Sequence, residues 1–201
     1  ILDMPDSDGQ TALHLAVKSG WKDTVTTLLD LGSNHAATNA DSDTPLHLAC
    51  LNGDESIVNI LLEKGARVDA RGLLQNTPLH YAASRGHEKV VDLLLTNKFN
   101  KASVQERTSS GDTILHIAAE FDRDALVSFL FRKHDISGDS VNRNGETALH
   151  KAAAKGHMEV IKVLLDFGVD PRKRDRSGQT PSMVAEQHGH YRCVRQLREK
   201  E

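Results

Sequence analysis

The chain has 201 residues; 38% of them are hydrophobic, only 4% are aromatic, and the formal net charge is −3. This composition is that of soluble folded proteins, and the length suits one large or two small domains. No run of about 18 apolar residues and no charged-then-apolar leader is present, so the sequence predicts neither a membrane span nor a secretory signal. With so few aromatic residues, we expect a core of Leu, Val, Ile and Ala in closely packed helices.

A similar tetrapeptide recurs six times along the chain, most often as Thr-Pro-Leu-His or Thr-Ala-Leu-His. Successive copies are separated by 33, 33, 36, 34 and 33 residues. They begin at Thr11, Thr44, Thr77, Thr113, Thr147 and Thr180. Self-similarity at such a period is the signature of stacked repeats, so the sequence predicts a tandem array of six units.

Each tetrapeptide has the features of a helix start. Thr is a good N-cap because its side-chain oxygen accepts a hydrogen bond from an otherwise unpaired backbone N–H, and Pro45, Pro78 and Pro181 fall at the first helical position. An alanine follows each Thr by five residues, which permits close approach of a neighbouring helix. These alanines are Ala16, Ala49, Ala82, Ala118, Ala152 and Ala185.

A second helix is predicted after a turn in each repeat. The turn has a glycine nine residues after the Thr in every copy except the fourth, where Asp122 replaces it; Asp tolerates the left-handed backbone better than most residues. Apolar residues then recur at i, i+3 and i+4, as in residues 57–62, 90–95 and 160–165. Gly32, Gly65 and Gly168 end this second helix.

These motifs resemble the ankyrin repeat, which has a period of 33 residues and Thr-Pro-Leu-His-x-Ala at the start of its first helix. The resemblance covers essentially the whole chain. It implies an all-α solenoid of stacked helix-turn-helix repeats, each with a β-turn finger before the Thr. We expect a single domain over residues 1–201, with residues 1–5 as the tail of a preceding repeat. The six repeats cover residues 6–38, 39–71, 72–107, 108–141, 142–174 and 175–201.

Several departures from the repeat pattern fall in residues 96–143. Three extra residues lie between Leu95 and Thr113, and the fourth repeat lacks the closing glycine near His134. We therefore expect a longer, irregular loop at the third-to-fourth junction. At the ends, Ile1 and Leu2 suggest that the chain begins inside a longer array, whereas the polar last helix, residues 195–201, suits a terminal cap.

Eleven histidines raise the question of a metal or catalytic site. Those at 14, 47, 80, 116 and 150 recur at the repeat period, and the family uses this imidazole to bond backbone between fingers, so we interpret them as structural; His87 and His157 are interpreted likewise. His188 and His190 lack the further ligands that a zinc site needs. Because the chain also has no GxSxG, GxGxxG or GxxxxGK[ST] motif, we expect no enzyme activity and no cofactor.

The two cysteines and the basic residues have simple interpretations. Cys50 and Cys193 form no CxxC motif, so we expect reduced thiols of an intracellular protein, cytoplasmic or nuclear. Residues 1–70 have a net charge of −7 and residues 143–201 one of +4. The basic run at residues 171–176 is more typical of a solvated finger than of a nucleic-acid site, and the aromatic residues that stack on bases are sparse.

The resemblance implies that a partner protein or peptide binds along the finger tips and the C-terminal ends of the first helices. We predict an apolar centre there with one basic residue, flanked by acidic tips on one side and basic residues on the other. The centre consists of Leu51, Leu73, Leu74, Phe121 and Arg85, the acidic tips are Asp8, Asp41 and Asp43, and the basic residues are Arg143 and Lys155. Alternatively, Leu73 and Leu74 pack against neighbouring fingers and Phe121 compensates for the missing turn glycine.

The leading hypothesis is therefore a non-catalytic module that binds another protein, with a monomer favoured and small-molecule or nucleic-acid ligands disfavoured. Two alternatives remain open at this point. One is a regulatory or targeting domain of a larger enzyme or channel, and the other is a nucleic-acid-associated regulator that uses the basic C-terminal end. Binding through phosphate contacts would fall steeply with salt, which distinguishes the second alternative.

Overall fold

A computed structural model describes residues 2–98 and 100–201, in which there are twelve α-helices, one short 3-10 helix and no strand. The chain forms two compact units, the first ending at Thr108 and the second spanning Ser109–Glu201. Ile1, which the sequence assigns to a preceding repeat, lies outside the described residues. No helix in the described ranges combines the length and the apolar character that a bilayer crossing requires.

The first unit contains three helix pairs. They are α1 (Ala12–Lys18) with α2 (Lys22–Asp30), α3 (Pro45–Asn52) with α4 (Glu55–Glu63), and α5 (Pro78–Arg85) with α6 (Glu88–Thr96). The first helices pack on one another in the order α1, α3, α5, and the second helices in the order α2, α4, α6. The unit is therefore a two-layered stack of repeats.

The second unit has the same arrangement. Its pairs are α7 (Ile114–Glu120) with α8 (Asp124–Lys133), α9 (Ala148–Lys155) with α10 (Met158–Asp166), and α11 (Pro181–Gln187) with α12 (Tyr191–Arg198). Here α7, α9 and α11 form one layer and α8, α10 and α12 the other. The fold class is that predicted from the sequence, an all-α repeat solenoid.

A threonine and a histidine start most of the first helices together. In α1, the Thr11 hydroxyl lies 2.9 Å from Nδ1 of His14, and the same nitrogen accepts the Thr11 backbone N–H at 3.2 Å. The equivalent pairs at Thr44, Thr77, Thr113 and Thr147 have the same geometry. This is a capping box in which histidine takes the place usually filled by Glu or Gln. The predicted threonine N-caps are confirmed.

Left-handed residues make the tight turns between paired helices. Gly53, Gly86 and Gly156 end α3, α5 and α9 with φ between 75° and 79°. Asp122, which replaces the glycine in the fourth repeat, adopts φ 59°. The prediction that aspartate preserves this turn is therefore confirmed.

Small side chains at one place in each first helix form the interior of each stack. The six alanines predicted to permit close approach are all buried, at no more than 2% exposure. The second helices contribute larger aliphatic residues, among them Ile57, Leu61, Leu94 and Ile161. Burial of this kind contributes about 25 cal/mol for each Å² of apolar surface removed from water.

The longer loop predicted at the third-to-fourth junction is present. Helix α6 ends at Thr96 and α7 begins at Ile114, three residues further on than the corresponding interval between α4 and α5. Helix α8 ends at Lys133 without a left-handed glycine, because His134 has an extended backbone. The three extra residues at the third-to-fourth junction are thus absorbed between α6 and α7, whereas the single extra residue of the fourth repeat lengthens α8 to ten residues, against nine in α2, α4, α6 and α10.

Candidate protein-binding surfaces

The six segments that precede the threonines are called fingers here and numbered in chain order: residues 6–10, 39–43, 72–76, 108–112, 142–146 and 175–179. Four of the capping histidines position the following finger, because their Nε2 donates to the carbonyl of its last residue. The acceptors are Asp43 at 3.0 Å from His14, Asn76 at 3.2 Å from His47, Glu146 at 2.9 Å from His116 and Gln179 at 3.0 Å from His150. The structural interpretation of these histidines is confirmed.

A second set of histidines bonds the third, fifth and sixth repeats each to the repeat before it. His87 donates from Nε2 to the Leu51 carbonyl at 3.1 Å, and His157 does so to the Glu120 carbonyl at 2.9 Å. His190 makes the equivalent bond to Ala154 at 3.2 Å, so it has the same structural role. In the described part of the chain, no three His, Cys, Asp or Glu side chains are arranged to bind a metal ion.

The first two fingers present exposed acidic tips. In the first finger the Asp6 carboxylate accepts the backbone N–H groups of Asp8 and Gln10, at 2.9 and 2.8 Å. Asn39 binds its own finger in the same way. Asp8 and Asp41 are exposed as a result, at the tips where the sequence places them.

The prediction that Asp43 forms a third exposed acidic tip is wrong. It is only 4% exposed, and both of its carboxylate oxygens accept the phenol hydroxyl of Tyr81, at 2.6 and 2.7 Å. Burial raises the pKa of Tyr81 most, and its hydrogen bond to Asp43 and the negative charge nearby raise it further. Asp43 therefore serves the stacking of repeats and is not presented to a partner.

The third finger projects two leucines. Leu73 is 49% exposed and Leu74 is 66% exposed, within a short 3-10 helix spanning Leu73–Gln75. Leu74 and Gln75 both have left-handed backbones, with φ 55° and 61°. Two successive non-glycine residues in this region are strained, and such strain clusters at functional sites. Their exposure favours display of the leucines over the alternative that they pack on neighbouring fingers.

The remaining residues of the predicted site in the first unit lie at the ends of first helices. Leu51 is half-buried near the end of α3, and Arg85 is exposed in the last turn of α5. Asn52 donates from its amide to the carbonyls of Val17 and Lys18, at 3.1 and 3.2 Å, which fixes the neighbouring helix end. This unit thus presents Leu73, Leu74, Arg85 and two acidic tips.

The second unit contributes one apolar and two basic residues of the predicted site. Phe121 is 49% exposed at the end of α7. Because Asp122 itself adopts the left-handed turn conformation, Phe121 is not required to compensate for the missing glycine. Arg143, in the fifth finger, and Lys155, in the last turn of α9, are both exposed.

A buried charged network in the second unit was not predicted from the sequence. Lys151, whose side chain is 17% exposed, lies 3.5 Å from Asp112, 3.5 Å from Glu120 and 3.9 Å from Glu146. Burial alone would lower the pKa of Lys151, but the three carboxylates outweigh it and raise the pKa. The sequence did contain one indication of this network, which is the position of its residues in the repeat. Lys151 and Tyr81 each follow their repeat threonine by four residues, and Asp112 and Asp43 each directly precede theirs.

Two of the four basic side chains in the run at residues 171–176 form local bonds. Arg172 forms an ion pair with Asp170 at 3.1 Å, and Arg174 donates to the Gly178 carbonyl at 2.6 Å. Arg198 pairs with Glu186 at 2.5 Å. These contacts fit the interpretation of a solvated finger and helix face better than that of a phosphate-binding surface.

Neither cysteine offers a reactive thiol. Cys50 is fully buried, and burial raises its pKa; Cys193 is 2% exposed, and burial raises its pKa as well. A thiol becomes nucleophilic as the thiolate, which burial in apolar surroundings disfavours. Both side chains therefore belong to the core, as free cysteines.

Comparison with known proteins gives the same repeat over the whole chain. The family profile described as ankyrin repeats (3 copies) matches residues 2–72, 70–140 and 126–201. Among solved structures, the human ASB11 ankyrin repeat domain has a TM-score of 0.83 and 26% identity, covering 100% of this chain and 87% of that one.

Two curated relatives match only part of the chain. Synphilin-1 of Mus musculus is 30% identical over 100 residues, which are 47% of this chain and 10% of synphilin-1. Potassium channel AKT1 of Oryza sativa subsp. indica is 38% identical over 85 residues, 41% of this chain and 9% of the channel. The matched region is thus about a tenth of the length of either relative.

Proposed function

Because the chain belongs to the ankyrin repeat family, we propose that it is a non-catalytic module that binds a partner protein or peptide at its finger tips and first-helix ends. The observation that supports this most is the display of Leu73 and Leu74 on a strained third finger of a chain with few aromatic residues. Large apolar side chains exposed together are typical of binding sites.

The proposed contacts fall into two groups, one in each compact unit. In the first unit they are Leu51, Leu73, Leu74 and Arg85, with Asp8 and Asp41 at the tips. In the second unit they are Phe121, Arg143 and Lys155. Exposed apolar residues with an arginine beside them fit the composition of energetically dominant contacts in protein interfaces.

A crosslinking experiment identifies the partner and tests the surface. A photo-reactive amino acid replaces Leu74 in the 201-residue chain, and a control chain has it in place of Lys89, an exposed residue of α6. We expect proteins crosslinked from position 74 and not from position 89. The same proteins crosslinked equally from both positions would contradict the proposal.

The purified partner is then titrated with point variants. Leu74→Ser and Phe121→Ser should each weaken binding about tenfold, which corresponds to roughly 1.4 kcal/mol. Lys89→Ser is the matched control and should leave affinity unchanged. Undiminished affinity in both folded variants would overturn the proposed surface.

A second candidate is a regulatory or targeting module within a longer enzyme or channel. The likeness to a protein named as a potassium channel supports it. In that case the partner surface lies in the same polypeptide. An antibody raised against this chain would then detect a much larger protein, and the crosslink from position 74 would be intramolecular.

A further inference from the structure

The third finger lacks the residue that stabilises four of the other fingers. In those four, the side chain at the first position accepts the backbone N–H groups two and four residues later, over distances of 2.8 to 3.0 Å. The accepting residues are Asp6, Asn39, Asn142 and Asp175. The third finger begins with Gly72, which has no side chain to accept these bonds.

The third finger nevertheless has a defined backbone. Gln75 donates to the Gly72 carbonyl at 3.0 Å, and Asn76 donates to the Leu73 carbonyl at 3.0 Å. Its left-handed position has Gln75 where four other fingers have glycine, and Leu74 is left-handed as well. A left-handed backbone is unfavourable for residues with a Cβ, so contacts outside the finger must stabilise it.

Asp43 provides such a contact from the neighbouring finger. Its Oδ1 accepts the Leu73 backbone N–H at 3.4 Å, while the Tyr81 phenol donates to the same carboxylate. A Cβ on residue 72 would lie 2.0 Å from this Oδ1, so only glycine leaves room for the carboxylate here. In the described residues, Asp43 forms no ion pair with a basic side chain, and its hydrogen bonds therefore determine its place.

Arg71 stabilises the other side of the finger. Its guanidinium donates to the Gln75 carbonyl at 3.1 Å and to the Arg107 carbonyl at 2.9 Å, and it forms an ion pair with Glu106. The finger is therefore bound at its second residue, Leu73, by Asp43 and at its fourth residue, Gln75, by Arg71. Leu74 lies between these two attachments.

We propose that Asp43 supplies the turn-stabilising carboxylate that the third finger lacks, and that Asp43 and Tyr81 are positioning residues that fix Leu73 and Leu74 for a partner. The positioning role of Asp43 and Tyr81 rests on the proposed function. Fixing the leucines before binding removes the entropy cost of ordering them in the complex. Asp43 thus acts on binding through the finger, without contacting the partner.

Amide hydrogen exchange measured by NMR tests the stabilising role without any partner. In Asp43→Ala, the Gln75 and Asn76 amides should exchange about tenfold faster, since a hydrogen bond to a charged group is lost. The matched control is Asp41→Ala, which removes an exposed carboxylate from the same finger as Asp43. The hydrogen bond of Asp41 to Asn39 is made by its backbone N–H, which the substitution preserves, so the Gln75 and Asn76 amides should change little. Unchanged exchange at Gln75 and Asn76 would overturn the proposal.

A compensating substitution tests whether the carboxylate acts as a turn-stabilising group. Removal of the Asp43 side chain clears the carboxylate from residue 72 and leaves His47 Nε2 3.2 Å from a Cβ there, which requires only a small shift of the His47 ring. Asp43→Ala combined with Gly72→Asn therefore places a side-chain acceptor in the finger itself. The double variant should recover most of the lost protection at Gln75 and Asn76. If protection is not recovered, the assigned role is wrong. If Asp43→Ala fails to fold, Tyr81→Phe is measured instead and should accelerate the same amides about threefold.

Titration with the crosslinked and purified partner separates this inference from the proposed function. Asp43→Ala should weaken binding as much as Leu74→Ser. A chain with both Asp43→Ala and Leu74→Ser should bind no more weakly than either single variant, because the two substitutions remove the same contact with the partner. Faster exchange with unchanged affinity in Asp43→Ala would overturn the positioning role. Unchanged affinity in Leu74→Ser would instead overturn the proposed function and leave the exchange result standing.

Discussion

The Tyr81 hydroxyl on α5 lies within 2.7 Å of both carboxylate oxygens of Asp43, the last residue of the preceding repeat's finger. The second unit has the same relationship with different chemistry, because Lys151 on α9 lies 3.5 Å from Asp112. In both cases a polar side chain four residues after the repeat threonine binds an aspartate one repeat earlier. The remaining described repeats have Leu15, Leu48, Ile117 or Val184 at this place. This pairing between a polar side chain and an aspartate is thus specific to two of the repeats and is not part of the common repeat structure.

Removal of the Tyr81 hydroxyl is expected to destabilise the first unit. Tyr81→Phe leaves the buried Asp43 carboxylate without its strongest donor, which costs about 1–3 kcal/mol. The free energy of unfolding is measured by urea titration. The other tyrosine is 71% exposed, so Tyr191→Phe is the matched control and should stay within about 0.5 kcal/mol of wild type. Equal stability of the two variants would contradict the assigned bond.

Lys151 is expected to stabilise the second unit through the buried Asp112. Lys151→Met keeps the length of the side chain but leaves an almost fully buried carboxylate without its cation. Breaking a buried ion pair from one side costs about 3–5 kcal/mol, and the partial exposure of Lys151 reduces the expected loss to about 2–3 kcal/mol. Urea titration followed by circular dichroism measures it.

The control for Lys151 is a lysine on the same helix. Lys155→Met removes an exposed charge from the last turn of α9 and should cost less than about 1 kcal/mol, because only its interaction with the helix end is lost. A loss in Lys151→Met no greater than in Lys155→Met would show that the network contributes nothing to stability.

The helix pairs were predictable because the same sequence pattern recurs six times along the chain. A threonine N-cap, a buried alanine and a left-handed turn residue each recur at a fixed place, so one local rule places every helix. Even the exception at Asp122 followed from backbone sterics. Such features depend on neighbours close in sequence, or on the repeat period itself.

Contacts that depend on one repeat's particular side chains were not predictable from the period. Asp43 occupies the last finger position, which is half-buried in four of the other fingers, and its near-complete burial depends on Tyr81, which lies 38 residues later. A sequence reading that treats finger positions alike therefore places its carboxylate on the surface. The strain at Leu74 was signalled only by the missing glycine at position 75, whose effect depends on the contacts of Asp43 and Arg71.

Glycine at position 75 is expected to stabilise the first unit. Gln75 has φ 61°, and the equivalent residues in four other fingers are Gly9, Gly111, Gly145 and Gly178. Gln75→Gly removes the Cβ penalty of about 1 kcal/mol, partly offset by greater freedom of the unfolded chain. The control Gln105→Gly, at a position without positive φ, should give no gain in the urea midpoint. Destabilisation by Gln75→Gly would show that the finger is unstrained.

Stability is expected to fall as the pH is lowered from 7 to 5. Burial lowers the pKa of His14, His47 and His150 below the ordinary 6.5, and backbone hydrogen bonds and nearby carboxylates offset this only in part. In the capping box the unprotonated Nδ1 accepts a backbone N–H, so protonation there breaks the cap. The unfolded chain therefore takes up protons first as the pH falls through about 6.5. The stabilising contribution is present above this pH and is lost progressively below it.

The size of this loss follows from the pKa difference, at about 1.4 kcal/mol for each unit by which a folded-state pKa lies below the unfolded value. Urea titrations at half-unit intervals of pH measure it. In His150→Gln, glutamine can still complete a capping box but does not titrate, so the dependence of stability on pH should be weaker than in wild type. Stability that stays constant between pH 7 and 5 would mean that these histidines are protonated equally in the folded and unfolded chains.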